Sequence, residues 1–563
     1  MKNVKMMLCL LLAVLISNVV LAEDPVYFAD PNLKAAVEDE LGIRDPNATD
    51  MLGLLELSAN NRGISDLTGL ENALNLMDLT LYDNDINDIS PLSDLNSLTV
   101  LDLHSNNISN IYPLSDINNL TVLSLQKNDI YNIFPLSGLT NLIEINLREN
   151  NINNIFPLSG LIDLTNLSLS YNDINDISPL SGLTNMVSLY LRGNDINDIS
   201  PLSSLINLTS LNLMDNNISD IFSLYNINKL TSLGLGYNNI NDISSLSDMN
   251  GLTSINLHDN DINDISPLSG MNSMSWLGLN DNNIKDISPL SDMNNITRLW
   301  LSGNDVKDIS ALSKMSYLRT LYCSNNNISD ITPLSGLIYL RTIILNYNNI
   351  SDISAISGIL YLSTLFLSHN NISDISPLSG KDIKFLDLSH NDINDISALS
   401  DLTNGASLNF NDIFSLSDIN GLMSLDFYDN DINDILFSSA TEPFRFYLGN
   451  NDISDISALS EISNISILHL DYLPLDTLAY CKYLPQIENN NPGIELEYDP
   501  NPNPISNDCV TTETELCPFF SKWLETGCDI SNNWCQGIDF DHNNNVDLTD
   551  YAIFAMFWAG NLE

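Results

Sequence analysis

The sequence predicts an α/β solenoid, and three observations predict it. A period of 22 residues governs most of the 563-residue chain, each period carries a Leu-x-Leu core with an Asn behind it, and an amphipathic helical stretch precedes the first period. One period alone cannot fold, because burying its apolar side chains yields less than ordering 22 residues costs, so neighbours must stack and share their faces. Composition agrees: 44% apolar and 16% charged residues are enough to bury a core and too few charges for a disordered polyelectrolyte.

Lys2 and Lys5 precede an apolar run from Met6 to Ile16, and Val20-Leu21-Ala22 places small or aliphatic residues where a signal peptidase cuts. Residues 1–22 therefore read as a secretory signal peptide, since Ser17 and Asn18 interrupt the run before the roughly 20 residues a membrane span needs. Residues 23–50 form a capping region. Asp30-Pro31 reads as N-cap and first helical residue, Leu33, Val37 and Leu41 share a face, and Gly42 follows the helix end. That face is expected to cover the first end of the repeat core.

Residues 51–476 hold the repeats. A marker Asn recurs every 22 residues from Asn84 to Asn370, and then at Asn391, Asn411, Asn430 and Asn451 with spacings of 21, 20, 19 and 21. Met186, Leu189, Leu191, Ile196, Ile199, Leu202 and Leu205 illustrate the inward positions of one unit. Each Leu-x-Leu is expected to be a short strand. The Asn after it tolerates a left-handed turn and offers two donors and an acceptor to adjacent backbone. Beyond the repeats, residues 477–510 read as a terminal cap and linker, since 489–507 is rich in Asn and Pro.

With this Leu-x-x-Leu-x-Leu-x-x-Asn-x-Ile core and the tail Asp198-Ile199-Ser200-Pro201-Leu202-Ser203, the chain resembles the leucine-rich repeat family, in the 22-residue form of bacterial internalin-like proteins. The resemblance covers about 420 residues. It implies a horseshoe with short parallel strands on the concave face and 3₁₀ turns on the convex face.

In residues 511–563, Asp539, Asp541, Asn543, Asn545, Asp547 and Asp550 occupy positions 1, 3, 5, 7, 9 and 12 of a twelve-residue oxygen-ligand loop, the spacing calcium requires. Asn544 stands where Gly is usual, and Asp550 where Glu is usual. The segment resembles a small helical dockerin-like domain, which implies calcium as cofactor and a cohesin-like or surface partner. One loop is visible where dockerins carry two. Cys509, Cys517, Cys528 and Cys535 crowd beside it, as staples would in an oxidising compartment, while Cys323 takes an inward strand position and is expected to be a buried thiol.

An Asp ladder runs from Asp176 to Asp374, four residues after each marker Asn. It is expected to cap the next turn or to gather calcium, and Asn110, Asn132 and Asn154 in its place favour capping because Asn supplies no charge.

The residue between the two strand leucines is expected to face solvent on the concave side. Most are small or polar, such as Thr80, Ser124, Ser168 and Gly234, but Trp300, Tyr322, Ile344 and Phe366 fill this column in four consecutive units. Trp276 lies nearby in the preceding row and Arg298 in the row of Trp300. Lys285, Lys307, Lys314, Arg319 and Arg341 fall in the same units. Aromatic residues with arginine are the composition of a binding hot spot, although the rings could instead serve only as cross-strand packing. Tyr190 with Arg192 forms a second, smaller candidate.

A net charge of −52 opposes nucleic-acid and anionic-membrane binding. No zinc-binding, nucleophile-elbow or phosphate-loop motif is present, and His369 with His390 in equivalent places reads as surface histidine more readily than as a chelate. The expected function is non-enzymatic: a secreted or cell-surface protein recognising an extracellular protein or polysaccharide on its concave face, with a calcium-stabilised attachment module. The alternative is a self-assembling envelope or matrix protein.

Overall fold

Helix α1 (Pro31–Leu41) starts where the Asp30 carboxylate accepts hydrogen bonds from the backbone N–H groups of Asn32 (2.8 Å) and Leu33 (3.3 Å). Its other oxygen accepts from Ser65 N–H at 2.8 Å, so one side chain both caps the helix and ties it to the first coil. Burial raises this carboxyl's pKa, and the backbone donors of Ser65, Asn32, Leu33 and Asp66 outweigh that, leaving it below the ordinary value. Leu33, Ala36 and Val37 are the buried stripe, with Leu41 only half-buried, and Gly42 closes the helix at φ 64°. A short helix α2 (Ala48–Met51) follows, closed by a reciprocal capping box between Asn47 and Asp50.

The computed structural model describes residues 23–393, 398, 407–409, 415–417, 424–426, 434–436, 444–450, 453–476 and 478–499. The signal segment 1–22, the proposed calcium ligands Asp539, Asp541, Asn543, Asn545, Asp547 and Asp550, and Cys509, Cys517, Cys528 and Cys535 lie outside the described residues. The chain divides into two units, one ending at Gly278 and one beginning at Leu279.

In the first unit, parallel three-residue strands run from β1 (Glu56–Ser58) to β11 (Trp276–Gly278). Leu57 pairs with Leu79, Leu79 with Leu101 and Leu101 with Leu123, each step being one 22-residue period. The middle residue of each strand is buried and its neighbours face outward, as strand alternation requires. Met186, Leu189, Leu191, Ile196, Ile199, Leu202 and Leu205 are all buried.

The marker Asn residues staple successive coils. Asn106 Nδ2 donates to the carbonyls of Leu81 and Leu103, both at 3.0 Å, and its Oδ1 accepts from Ile86 N–H at 3.0 Å. The left-handed residue is not this Asn, as the sequence suggested, but the one before it: Asp83, Ser105, Lys127, Glu149 and Tyr171 all have φ between 54° and 57°. Each backbone turns there so that the following Asn side chain points inward. In the ladder that follows, Asp176, Asp198 and Asp242 accept from the N–H two residues on at 2.8 Å, and Asn110, Asn132 and Asn154 do the same at 3.0 Å. The ladder caps 3₁₀ turns such as Ser178–Gly182.

The second unit repeats this plan in β12 (Arg298–Trp300), β13 (Thr320–Tyr322), β14 (Thr342–Ile344), β15 (Thr364–Phe366) and β16 (Phe385–Asp387). Cys323 is fully buried, and burial pushes its thiol pKa up to about 12. Where the period shortens, the architecture changes. β17 (Ser407–Asn409), β19 (Ser424–Asp426) and β21 (Phe444–Tyr447) continue the main ladder, while β18 (Ser415–Ser417) and β20 (Asp434–Leu436) pair as a separate two-stranded sheet at sequence positions where 3₁₀ turns were expected.

The ladder continues into the stretch whose composition suggested a cap and linker. β23 (Glu495–Tyr498) pairs with β22 (Ile465–Leu470), and helix α3 (Leu484–Asn490) precedes it. Asn491 reproduces the marker role, accepting from Ile465 N–H at 2.7 Å and donating to Ile462 O at 3.0 Å.

Candidate recognition surface

Parallel pairing in register carries the second unit's aromatic column onto one line: Trp300 pairs with Tyr322, Tyr322 with Ile344, and Ile344 with Phe366. All four are half-buried on the outward face, and the central Leu299, Leu321, Ile343 and Leu365 form the core beneath them. The rings of Trp300 and Tyr322 are stacked, with centroids 5.4 Å apart and 8° between planes. Arg298 is exposed at the start of β12, and Arg319 and Arg341 are exposed immediately before β13 and β14. Three consecutive rows thus carry an exposed arginine at or just before the strand that bears the column residue. Phe385, 52% exposed and paired in register with Thr364, adds an aromatic side chain in the next row and was not singled out from sequence because it precedes the Leu-x-Leu pair instead of standing between its leucines.

Two of the lysines found by sequence are already engaged in exposed ion pairs, Lys285 with Asp305 and Lys314 with Asp292, both at 3.7 Å. Such pairs contribute little to stability. Trp276 belongs to the first unit, half-buried at the first position of β11, where its ring edge covers Gly278; a Cβ there would lie 3.2 Å from Trp276 Cη2.

His369 and His390 stack face to face with centroids 3.9 Å apart, and Tyr347 stacks on His369 at 4.0 Å. These rings occupy successive left-handed turn positions with φ of 53–55°. Stacking explains their alignment, and among the described residues no cluster of three metal-ligating side chains occurs.

The second candidate, Tyr190 with Arg192, lies in the first unit beside a cavity of about 410 Å³. Its floor is the row of β6 (Asn166–Ser168) and Ser170. Its walls are the rows of β5 (Glu144–Asn146) with Arg148, and of β7 (Ser188–Tyr190) with Arg192. A row of small side chains between two rows of large ones leaves a slot across the sheet, about 10 Å between wall backbones at two strand spacings. Gly193 admits the Tyr171 ring, since a Cβ there would lie 2.6 Å from Tyr171 Cδ1. Both arginines use that ring: Arg148 Cζ lies 4.9 Å and Arg192 Cζ 5.5 Å from its centroid. Tyr171 and Arg148 were missed in the sequence because they sit beyond the Leu-x-Leu column.

Comparison with known proteins places this geometry. The family described as "Leucine Rich repeats (2 copies)" matches residues 162–204, 184–226, 272–314 and 316–358. Among solved structures, the chain is similar to an internalin (inlF) from Listeria monocytogenes, with 31% identity, 59% of this chain and 100% of that chain covered, and a TM-score of 0.56. It shares its fold with the Leptospira interrogans LRR protein LIC12759, at 19% identity over 64% of this chain and 97% of that one, TM-score 0.50. The same holds for the plant peptide hormone receptor RGFR1 in complex with RGF2, at 19% identity over 81% of each chain, TM-score 0.62. Comparison with curated proteins gives no match.

Proposed function

The chain belongs to the internalin-type leucine-rich repeat proteins, and from that premise we propose that it recognises an extracellular protein through the strand face of its second unit. Proteins of this family bind and do not catalyse, and this chain is not an enzyme. The observation that carries the proposal is the stacked pair Trp300 and Tyr322, held half-buried and outward-facing within a line that continues to Ile344 and Phe366. Pre-ordered aromatic side chains lose little conformational entropy on binding, and Arg298, Arg319 and Arg341 beside them supply forked donors for carboxylates at the rim. In a chain of net charge −52 this local group of arginines favours an acidic partner surface over a basic one at contact range, while long-range repulsion is screened beyond about 8 Å in physiological salt.

A polysaccharide is the second reading, favoured by the near-parallel rings, whose faces match sugar rings in the way they match each other. Trp300→Ala with Tyr322→Ala should weaken binding to whichever partner is captured, and unchanged affinity would return the column to packing alone. Self-assembly is the competing role. Light scattering of the mature chain with and without calcium separates the two, since self-assembly requires large particles and a receptor requires monomers.

Export through residues 1–22 and attachment through a calcium-loaded segment at 511–563 complete the proposal. Six oxygen ligands at Asp539, Asp541, Asn543, Asn545, Asp547 and Asp550 support calcium by their spacing, and a cohesin-like or other surface partner would then dock on that segment. Asp539→Ala with Asp541→Ala should abolish a calcium-dependent rise in melting temperature that the unaltered chain shows. No calcium response in the unaltered chain would remove calcium from the account.

A further inference from the structure

We propose that the slot over β6 in the first unit is a binding site for an acidic peptide segment, taken in extended form with a carboxylate at Arg192 and Arg148. This site is separate from the aromatic line of the second unit and does not depend on it.

The slot is polar along its floor and charged at both ends. On the outward face Glu144, Asn146 and Arg148 alternate along one wall, and Asn166, Ser168 and Ser170 along the floor. The ladder continues through this row, because Glu149 N–H donates to Ser170 O at 2.8 Å and Tyr171 N–H to Arg192 O. From Glu144 to Arg148 is four residues, about 13 Å of extended chain. An extended peptide of about four residues spans that length, its carboxylate at the arginine end and a cation or backbone N–H near Glu144.

Arg192 is the group that most needs a ligand. Its Nε is buried without a hydrogen-bond partner, and among the described residues its guanidinium enters no ion pair; its stabilising contact is the Tyr171 ring. A buried donor of a charged group left without an acceptor is costly, and a carboxylate supplies the acceptor in a charge-assisted, forked geometry. Arg148 is half-committed: its Nε and Nη2 each lie 2.9 Å from Glu149 Oε1, which leaves its remaining N–H groups to share an incoming anion. Two guanidinium groups held on one aromatic ring repel each other, and an anion placed between them relieves that repulsion. Size agrees as well, since about 410 Å³ admits a few residues and not a folded domain.

The test uses the full chain and three probes: the peptide Ac-Lys-Thr-Thr-Glu-NH₂, its Gln analogue Ac-Lys-Thr-Thr-Gln-NH₂, and a tri-galacturonate. Binding is read by saturation-transfer NMR titration against the unaltered protein, Arg192→Gln, Arg148→Gln and Glu144→Gln, with circular dichroism melting to establish that each variant folds. The Glu peptide should bind with Kd of about 1 mM or tighter. The Gln peptide, Arg192→Gln and Arg148→Gln should each weaken it at least about tenfold, and Glu144→Gln by a few-fold. Equal binding of the Glu and Gln peptides, unchanged binding by folded Arg192→Gln, or no peptide binding at 10-fold higher concentration overturns the proposal. Arginine-dependent binding of the galacturonate without the peptide would also overturn it, in favour of an acidic polysaccharide. None of these results alters the behaviour expected of Trp300 and Tyr322.

Discussion

The indole of Trp300 lies parallel to the ring of Tyr322, one strand away, with 8° between their planes. Removing either ring therefore costs packing as well as any contact with a partner. Such a stacked pair adds about 0.5–1.5 kcal/mol beyond area burial. Trp300→Ala should destabilise the chain by about 1 kcal/mol in denaturant unfolding, and Trp300→Phe, which keeps a stacked ring, by less than half of that. If Trp300→Ala changes nothing, the rings are not coupled in solution.

Asn216 tests the staple. Its Nδ2 donates to Leu191 O at 3.0 Å, Leu213 O at 3.1 Å and Met214 O at 3.1 Å, and its Oδ1 accepts from Ile196 N–H at 3.1 Å. Asn216→Ala leaves Ile196 N–H without its acceptor, while Leu191 O keeps Asn194 Nδ2, Leu213 O keeps Asn238 Nδ2 and Met214 O keeps Gly193 N–H, so the loss should be about 1–3 kcal/mol, the cost of one orphaned buried donor. A loss below about 0.5 kcal/mol in denaturant unfolding would mean water replaces the amide.

Cys323 should be inert in the native protein, because full burial raises its thiol pKa to about 12 and leaves almost no thiolate near neutral pH. Alkylation followed by peptide mass mapping should label Cys323 only after unfolding in denaturant. Rapid native labelling would place that strand position at the surface.

The Asp ladder sets an acid limit. Backbone N–H and hydroxyl donors of Ser178, Ser200, Ser244 and Ser288 hold Asp176, Asp198, Asp242 and Asp286 below the ordinary carboxylate range, and the hydroxyl and N–H of Thr332 do so for Asp330. A lowered folded pKa contributes stability that is present above the unfolded value, about 3.9, and is lost as pH falls through the folded value. Replacing these five Asp by Asn keeps the hydrogen bond, as Asn110, Asn132 and Asn154 do naturally, and removes the titration. The variant's melting temperature should therefore gain on the unaltered protein as pH drops below about 4. A constant difference across that range would mean that the caps do not titrate on unfolding.

Much of this architecture is legible in the residues because a constant period turns distance along the chain into adjacency: 22 residues separate Trp300 from Tyr322, and the pairing of Leu299 with Leu321 makes them neighbours. The inward positions, the capping role of Asp176 and its equivalents, and the burial of Cys323 follow from the same rule. The rest depends on what repetition does not encode. The left-handed turn falls on Tyr171 and its equivalents, before the Asn that carries the pattern, so the ring that gathers Arg148 and Arg192 is invisible in the Leu-x-Leu column. The slot exists because Ser168 and Ser170 are smaller than the residues in the rows on either side, a three-row comparison of volumes. The change at Ser415–Ser417 and Asp434–Leu436 falls where the constant spacing of 22 is lost, in intervals of 19 and 21, and the repeat pattern carries no signal for strands at those turn-like positions.

The central claim is that the outward line through Trp300, Tyr322 and Phe366 meets a partner. The most direct measurement is quantitative capture of extracellular proteins and surface glycans by three forms of the chain: unaltered, Trp300→Ala/Tyr322→Ala/Phe366→Ala, and Phe222→Ala, which removes an aromatic side chain exposed on a 3₁₀ turn of the first unit instead. With all three folded by circular dichroism, a partner should be captured by the unaltered chain and by Phe222→Ala and should be lost from the triple variant. An identical set of captured partners from all three forms would contradict the claim.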